Sequence, residues 1–167
     1  MTPFLNSSCM KKMAIVPEFY CLAESSLTSA EALVLLEARK AALNAHAPYS
    51  QFFVGAAVQL ETGEIISGCN QENASYPSGM CAERVVLNFV GATHPKSKIK
   101  TLCIAVLSKF KDAARVYAPC GGCRQVISES QSRQNNEPID IIFEGPGDQL
   151  TRCKGIEHLL PFTFQLF

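Results

Sequence analysis

The sequence lacks an excess of charge of either sign, because fifteen Lys and Arg residues balance fifteen Asp and Glu residues. A chain with no net charge offers no strong overall field to a nucleic-acid backbone or to an anionic membrane surface. The sequence also lacks a long hydrophobic run, since no apolar stretch approaches the roughly 18 residues that a membrane helix requires. These absences argue against nucleic acid and membranes as partners, and a small-molecule ligand fits better.

A secretory signal is not evident either. The lysines at positions 11 and 12 are followed by a short apolar patch that Pro17 and Glu18 interrupt, which is unlike the apolar core of a signal peptide. We therefore expect a cytoplasmic protein, in which thiols stay reduced. Five of the eight cysteines are then expected to be free thiols or small core residues. These five are Cys9, Cys21, Cys69, Cys103 and Cys153.

The chain of 167 residues is long enough for one domain with a sizeable core. Hydrophobic residues make up 47% of it and charged residues 18%, which is typical of a globular protein. We predict an N-terminal extension over residues 1–27, ordered over part of its length, and a folded domain over residues 28–167.

Helices and strands alternate along the predicted domain. Thr28 and Glu31 have the spacing of a capping box, which predicts a helix to about Asn44. The apolar face predicted for this helix comprises Ala32, Leu35, Leu36 and Leu43. Strands are predicted at residues 52–60, 65–69, 99–107 and 139–143, and a short last strand follows them. The alternation predicts one mixed sheet covered by helices.

Two cysteines, Cys120 and Cys123, lie three positions apart at the predicted start of a helix, in the stretch Ala118–Gln125 that reads APCGGCRQ. Such a pair is compatible with a redox dithiol, with half of a zinc site or with incidental core cysteines. The pair by itself does not distinguish these three interpretations.

A third cysteine, Cys81, also stands at the predicted start of a helix, and Glu83 follows it closely. If the two helix starts face one another at the same end of the sheet, the thiols of Cys81, Cys120 and Cys123 converge. Three protein ligands leave the fourth position of a tetrahedral zinc ion open, whereas a structural zinc site normally fills it. An open position beside a carboxylate suggests a bound water and a general base.

Further motifs accompany these cysteines, and together they resemble the cytidine deaminases of the small, homotetrameric, three-cysteine type. The resemblance runs from about Ala41 to Pro161, which is most of the chain, and its separate motifs make it specific. The motifs are His46–Ser50 (HAPYS), Val54–Ala57 (VGAA), Gly68–Pro77 (GCNQENASYP), Met80–Arg84 (MCAER), Pro119–Gln125 (PCGGCRQ) and Glu157–Pro161 (EHLLP). The resemblance implies a three-layer α/β/α sandwich with one mixed five-stranded sheet, and makes residues 28–167 a catalytic domain.

The resemblance also implies an activity, namely zinc-dependent hydrolytic deamination of cytidine, deoxycytidine or both to the uridine nucleoside and ammonia, a step of pyrimidine salvage. One zinc ion per subunit would be bound by Cys81, Cys120 and Cys123. Glu83 matches the proton shuttle of the family. In that mechanism zinc-bound hydroxide attacks C4 of the pyrimidine, and Glu83 returns protons to the ring nitrogen and to the leaving amine.

The nucleoside would be held by residues that match the family's substrate site. Asn70 and Glu72 match the residues that hold the ribose hydroxyls, and an amide and a carboxylate suit a diol. Phe52 matches an aromatic residue that packs on the pyrimidine, and the backbone of Ala82 matches the group that reads the base edge. Arg84 matches an arginine that hydrogen-bonds the ligand thiolates.

The sequence departs from the family pattern at one position of this site. Phe53 stands where the family usually has a proline after the aromatic residue that Phe52 matches. The replacement of this proline affects the backbone conformation where the strand begins, and therefore the position of Phe52. In quaternary structure the resemblance implies a homotetramer with active sites near the subunit interfaces.

Three other functions remain compatible with a zinc site of this kind. The same chemistry could act on an aminated nucleoside antibiotic, although the pair Asn70 and Glu72 favours an ordinary ribose or deoxyribose. A polynucleotide-editing deaminase is less favoured, because the net charge is zero and no basic, aromatic-rich arm is present. A non-catalytic zinc protein would use the metal only to hold two helices together.

Overall fold

The structure, a computed structural model, describes residues 12–109, 112 and 114–165 of the chain. Six strands and three long helices lie within these residues. The strands are β1 (Tyr20–Ala23), β2 (Phe53–Leu60), β3 (Ile65–Cys69), β4 (Ile99–Leu107), β5 (Asp140–Glu144) and β6 (Gln149–Lys154). The helices are α1 (Ser29–Ala42), α2 (Ala82–Thr93) and α3 (Gly121–Arg133). No helix in the described part of the chain is long and apolar enough to cross a membrane.

The strands form one mixed sheet in the order β1-β6-β5-β4-β2-β3. Strands β4 and β5 are parallel, and every other neighbouring pair is antiparallel. The prediction of five strands is wrong, because β1 adds a sixth strand from within the predicted extension. This strand has only four residues and is mostly exposed, so its sequence carries no alternation that would reveal it.

Strand β4 has buried side chains on both faces of the sheet. Cys103 and Ala105 pack in the apolar cluster beneath α1, whereas Leu102 and Ile104 pack in the larger cluster beneath α2 and α3. A strand buried on both faces carries a nearly continuous apolar run, as β4 does. The predicted three-layer α/β/α arrangement is therefore confirmed.

Helix α1 lies on the sheet with a different face from the one predicted. Leu35 is fully buried as expected, but Leu36 is 44% exposed and Leu43 is 75% exposed. The buried apolar residues of the helix are Val34, Leu35, Ala38, Ala41 and Ala42. The helix approaches β2 so closely that a Cβ atom on Gly55 would collide with the backbone of α1. Small residues at the contact permit this approach, and Leu36 and Leu43 face outward.

The N-terminus of α1 has the predicted capping box and is joined to the sheet by charge. The backbone N–H of Thr28 donates to Glu31 Oε2 at 2.8 Å, and the N–H of Glu31 donates to Thr28 Oγ1 at 3.3 Å. Glu31 Oε1 also accepts a hydrogen bond of 2.8 Å from Arg152 on β6. Arg152 in turn binds Asp140 of β5 with two nitrogen atoms. One guanidinium therefore holds two nearly buried carboxylates.

Replacing Arg152 with methionine is expected to lower the free energy of unfolding by about 2–3 kcal/mol. The change leaves Glu31 and Asp140, whose side chains are 10% and 12% exposed, without their cation. Because the Arg152 side chain is itself 34% exposed, the expected loss in free energy of unfolding is smaller than for a fully buried ion pair. Urea denaturation measures it.

The matched control is Arg133→Met, because Arg133 forms an exposed pair with Glu129 on α3. Exposed pairs contribute about 0–1 kcal/mol, so this variant should unfold almost like the parent protein. Equal losses in the two variants would contradict a structural role for the Arg152 network.

The cysteines outside the predicted metal set behave as expected where the structure describes them. Cys21, Cys69, Cys103 and Cys153 are free thiols, and the last two are buried in the core. Burial raises the pKa of the Cys103 thiol and raises that of Cys153 to about 12, so both stay protonated and unreactive. Cys9 lies outside the described residues.

Candidate active site

Three thiols lie together where α2 and α3 begin. The Sγ atom of Cys120 lies 3.9 Å from that of Cys81 and 3.4 Å from that of Cys123. All three sulfur atoms lie within 4.8 Å of one another. Cys81 is the N-cap of α2, Cys120 is the N-cap of α3, and Cys123 is buried in the first turn of α3. The predicted convergence of these thiols is confirmed.

The two helix starts favour negative charge at this place. Cys81 and Cys120 both have extended backbone conformations, and neither side chain caps its helix through a hydrogen bond. The N-cap side chains therefore leave the first backbone N–H groups of each helix unoccupied, and these groups carry the positive end of the helix dipole. Both ends stabilise thiolates, which are the form in which cysteine binds a metal ion.

A hydrogen bond between Cys81 and Cys123 favours a thiolate at one of the two residues. The pKa of Cys81 is lowered to about 6, chiefly because its thiolate accepts a hydrogen bond from the Cys123 thiol. The same bond raises the pKa of Cys123, since the proton stays on that sulfur. A cation that replaced this proton would meet one thiolate already formed and a second sulfur in contact with it.

The donor set fits zinc. Tetrahedral Zn²⁺ with Zn–S bonds of about 2.3 Å places its sulfur ligands about 3.8 Å apart, close to the 3.4 and 3.9 Å separations found here. No other Cys, His, Asp or Glu among the described residues joins this group. Three thiolates without a fourth protein ligand match a zinc site with one open position.

Glu83, the second residue of α2, lies beside the thiols. It is only 5% exposed, and its own backbone N–H and the Cys123 side chain lie within hydrogen-bonding reach of its carboxylate. Burial raises the pKa of this carboxyl, and the two hydrogen bonds oppose the shift. Burial favours the protonated form of a carboxyl group, which suits a residue that must take up and return protons.

A cleft of about 390 Å³ opens onto Glu83 and the exposed side of the thiol cluster. Its lining combines polar, aromatic and aliphatic residues. The residues that line it are Ser50, Phe52, Val54, Asn70, Glu72, Cys81, Ala82, Glu83, Ile104, Val106, Tyr117, Ala118 and Cys120. The structure therefore brings into one cleft every predicted site residue except Cys123, which is buried behind it, and Arg84.

Asn70 joins the cleft to the start of β2. Its side-chain Nδ2 donates to the backbone oxygen of Phe52 at 2.9 Å, and its Oδ1 accepts from the N–H of Val54 at 2.8 Å. An amide has two N–H groups and two lone pairs on oxygen, so one donor and one acceptor remain for a ligand. Asn70 therefore holds Phe52 in place and can still bind a hydroxyl group.

Glu72 is tied to the turn before Phe52. Its Oε2 accepts hydrogen bonds from the backbone N–H groups of Tyr49 at 2.9 Å and Ser50 at 3.2 Å, and its Oε1 accepts one from the Ser50 hydroxyl. These bonds, the Ser50 hydroxyl first, lower the pKa of the carboxyl. A carboxylate accepts about four hydrogen bonds, so the ionised Glu72 keeps one acceptor position.

Comparison with known proteins identifies the family to which these features belong. The family model of the cytidine and deoxycytidylate deaminase zinc-binding region matches residues 28–135, which include all three cysteines and Glu83. The chain belongs to this deaminase family.

Relatives within the deaminase family agree in sequence and in fold. The chain is 41% identical to a cytidine deaminase of Mycobacterium tuberculosis over 129 residues, which are 77% of this chain and 85% of that protein. It is 40% identical over 97 residues to a cytidine deaminase of Halalkalibacterium halodurans, covering 58% of this chain and 69% of that protein. The solved cytidine deaminase of Burkholderia pseudomallei superposes with a TM-score of 0.65 at 28% identity, covering 83% of this chain and 100% of that one.

Phe52 enters this deaminase's cleft from a turn with an unusual backbone. Gln51 has a φ of 55°, in the left-handed region, and its side chain donates to the backbone oxygen of Pro48 at 3.0 Å. The N–H of Phe52 donates to Ser50 Oγ at 3.1 Å. Phe53, which replaces the usual proline, is the first residue of β2 and pairs with Leu107. Phe52 is thus fixed from both sides, and the strand entry is regular.

The other two predicted residues lie near the start of α2. Ala82 is fully buried at the first position of the helix, where its backbone N–H is one of the unpaired first-turn donors. The positive charge of Arg84 lowers the pKa of the Cys81 thiol. Arg124 instead donates to the backbone oxygen atoms of Pro119 and Leu159, and so fastens the segment that precedes Cys120.

Ser50 and Tyr117 are lining residues that contact predicted site residues, and neither contact was predicted from the sequence. Ser50 binds both Glu72 and the backbone of Phe52, and its presence in the HAPYS motif is the signal that could have identified it. Tyr117 lies with its ring 5.6 Å from that of Phe52, measured between centroids. No spacing in the sequence connects Tyr117 to the site, because only the fold brings these two rings together.

Proposed function

We propose that this chain catalyses the zinc-dependent hydrolytic deamination of cytidine, deoxycytidine or both, which yields the uridine nucleoside and ammonia. The observation that carries the proposal is the buried carboxyl of Glu83 against a three-thiol cluster, in a cleft that Ser50, Asn70 and Glu72 also line. A non-catalytic zinc protein needs neither the buried acid nor the cleft.

Zinc held by Cys81, Cys120 and Cys123 would supply the acidity that activates a water molecule at the open position. The task of Glu83 is to move protons. It takes one proton from the attacking water and gives it to the ring nitrogen N3. It then takes the second proton of that water from the new hydroxyl on C4 and gives it to the amine that leaves as ammonia. Its burial and raised pKa support this role, because the carboxyl must hold a proton between these steps.

The remaining residues orient the nucleoside. Phe52 packs against the pyrimidine ring, and the backbone of Ala82 reads the edge that carries the amine. Asn70 and Glu72 bind the sugar hydroxyls with the donor and acceptor positions that their protein contacts leave free. A site built to bind the sugar rejects the free base, because its polar groups would be left unpaired. Arg84 stabilises the thiolate charge.

Ammonia release tests the proposed function. Purified protein with measured zinc content is assayed on cytidine, deoxycytidine, cytosine, cytidine nucleotides and an aminated nucleoside antibiotic. We expect ammonia from the two nucleosides and little from cytosine. Fully zinc-loaded protein that releases none from either nucleoside would refute the proposal, and preference for the antibiotic would assign it another substrate.

Replacing Glu72 with glutamine is expected to lower kcat/KM for cytidine by roughly 10- to 100-fold, since hydrogen bonds to a charged group are lost. The same variant should lose much less on 2′,3′-dideoxycytidine, which lacks the hydroxyls. Initial rates on the two substrates measure the difference. If Glu72 only anchors the turn at Tyr49 and Ser50, both substrates lose equally and its role in sugar binding is wrong.

We further propose that the enzyme works as a homotetramer in the cytoplasm, in pyrimidine salvage. The resemblance to the small three-cysteine deaminases supports this, together with large apolar side chains that the single chain leaves exposed. Tyr49, next to the cleft, is 52% exposed, Tyr76 is 75% exposed, and Phe162 and Phe164 near the C-terminus are 72% and 68% exposed. Analytical ultracentrifugation tests the stoichiometry.

A further inference from the structure

The ring of Tyr117 forms part of the cleft wall beside Phe52. Tyr117 lies in the segment between β4 and α3, two residues before the proline that precedes Cys120. Its ring and that of Phe52 have centroids 5.6 Å apart and planes inclined by 40°. The two inclined rings form an aromatic corner, and both residues line the cleft that contains Glu83.

The rest of Tyr117 is fixed outside the cleft. Its backbone N–H donates to the backbone oxygen of Glu144, at the end of β5, at 2.9 Å. Its hydroxyl oxygen accepts a hydrogen bond of 2.5 Å from the N–H of Asp112, and lies 3.4 Å from the backbone oxygen of the same residue. The hydroxyl is thus occupied within its own loop. What Tyr117 offers to the cleft is an apolar ring that is held in place before a ligand arrives.

We propose that Tyr117 is a second aromatic contact for the pyrimidine, so that Phe52 and Tyr117 together bind the base. The inference rests on the proposed function, and it adds a residue to the substrate site. A flat pyrimidine gains contact with both rings of the corner, and stacking on an aromatic side chain strengthens binding roughly tenfold or more per base. The fixed hydroxyl and backbone preorganise the ring, so little entropy is lost on binding.

Tyr117 has no group that reacts, so its removal should affect binding more than chemistry. Tyr117→Leu is expected to raise KM for cytidine roughly tenfold, the effect of one lost stacking contact, with kcat changed less than about threefold. Tyr117→Phe keeps the ring and loses only the bond to Asp112, so its KM should stay within about threefold of the parent value. A purely structural role for Tyr117 would instead lower thermal stability in both variants without this separation of KM from kcat.

The absence of tryptophan from the chain permits a direct binding measurement. Tyr117→Trp carries a single indole at the proposed contact, and Tyr20→Trp carries one on the edge strand β1 as the matched control. Titration with uridine, the product nucleoside, should change the emission of the first variant at saturation and leave that of the second unchanged. Zinc content and circular dichroism are measured for every variant.

Two results together would overturn the inference: an unchanged KM in Tyr117→Leu, and an indole at position 117 that does not respond to saturating uridine. If Tyr117→Leu fails to fold, the KM of Tyr117→Phe and the uridine titration of Tyr117→Trp test the inference instead. Failure of the proposed function is a separate result, because it appears as parent protein that releases no ammonia from cytidine. In that case the indole titration still reports whether the corner binds a pyrimidine nucleoside.

Discussion

Replacing Glu83 with glutamine is expected to leave a folded, zinc-loaded protein whose kcat for cytidine deamination falls by roughly 10³-fold or more. Glutamine has almost the same shape as the glutamate, so it fits the site in which Glu83 is 5% exposed. It cannot take a proton from water, and it cannot return one to the ring nitrogen or to the leaving amine. The loss therefore falls on chemistry, and KM should change much less than kcat.

Glu37→Gln is the control for this substitution. Glu37 lies on α1, which covers the opposite face of the sheet from α2, and it pairs with Lys40 at the surface. The control should keep full activity and full zinc content. Retained turnover in the Glu83→Gln variant, with zinc equal to the parent protein, would remove Glu83 from the mechanism.

Replacing Cys120 with serine is expected to reduce bound zinc from one ion per chain to less than about a tenth, with activity falling in proportion. Serine is a poor zinc ligand at neutral pH, because its hydroxyl does not ionise. Serine is nonetheless one of the preferred helix N-caps, and Cys120 occupies the N-cap of α3 without a side-chain hydrogen bond. The metal-free variant should therefore be as stable as the metal-free parent, or more stable by up to about 1 kcal/mol.

This combination separates a ligand from a residue that merely supports the helix. Metal analysis and thermal unfolding, with and without a chelator, measure both effects in the same samples. Cys21→Ser is the control, since Cys21 is an exposed thiol on β1 and should not affect zinc content. Stoichiometric zinc in the Cys120→Ser variant would show that Cys120 is not a ligand.

The sequence predicted the metal cluster because its members are rare residue types at recognisable positions. Cys81 and Cys120 each stand where a helix begins, and the structure meets the condition that the two helix starts face one another. Cys123 follows one turn later, so its direction was also predictable. The nearly continuous apolar run of β4 identified the central strand for a similarly local reason.

What could not be predicted depends on contacts between distant segments. Leu36 and Leu43 appear apolar on a helical wheel, but the close approach of α1 to Gly55 turns the smaller alanines inward. Tyr117 becomes part of the cleft only because its backbone is bound to the end of β5. Each of these features follows from the assembled fold and leaves no pattern in the neighbouring sequence.

The pairing of β1 with β6 has a consequence for how the chain folds during synthesis. Cys21 on β1 bonds to Gln149 at the start of β6, a separation of 128 residues along the chain. Contacts of such long range form late, because a large loop must close before they stabilise anything. While the chain is being made, β1 has no strand to pair with until β6 has left the ribosome. The strand is short and mostly exposed, and both properties lower the risk of aggregation during this interval. A longer apolar strand that stayed unpaired would be prone to aggregate.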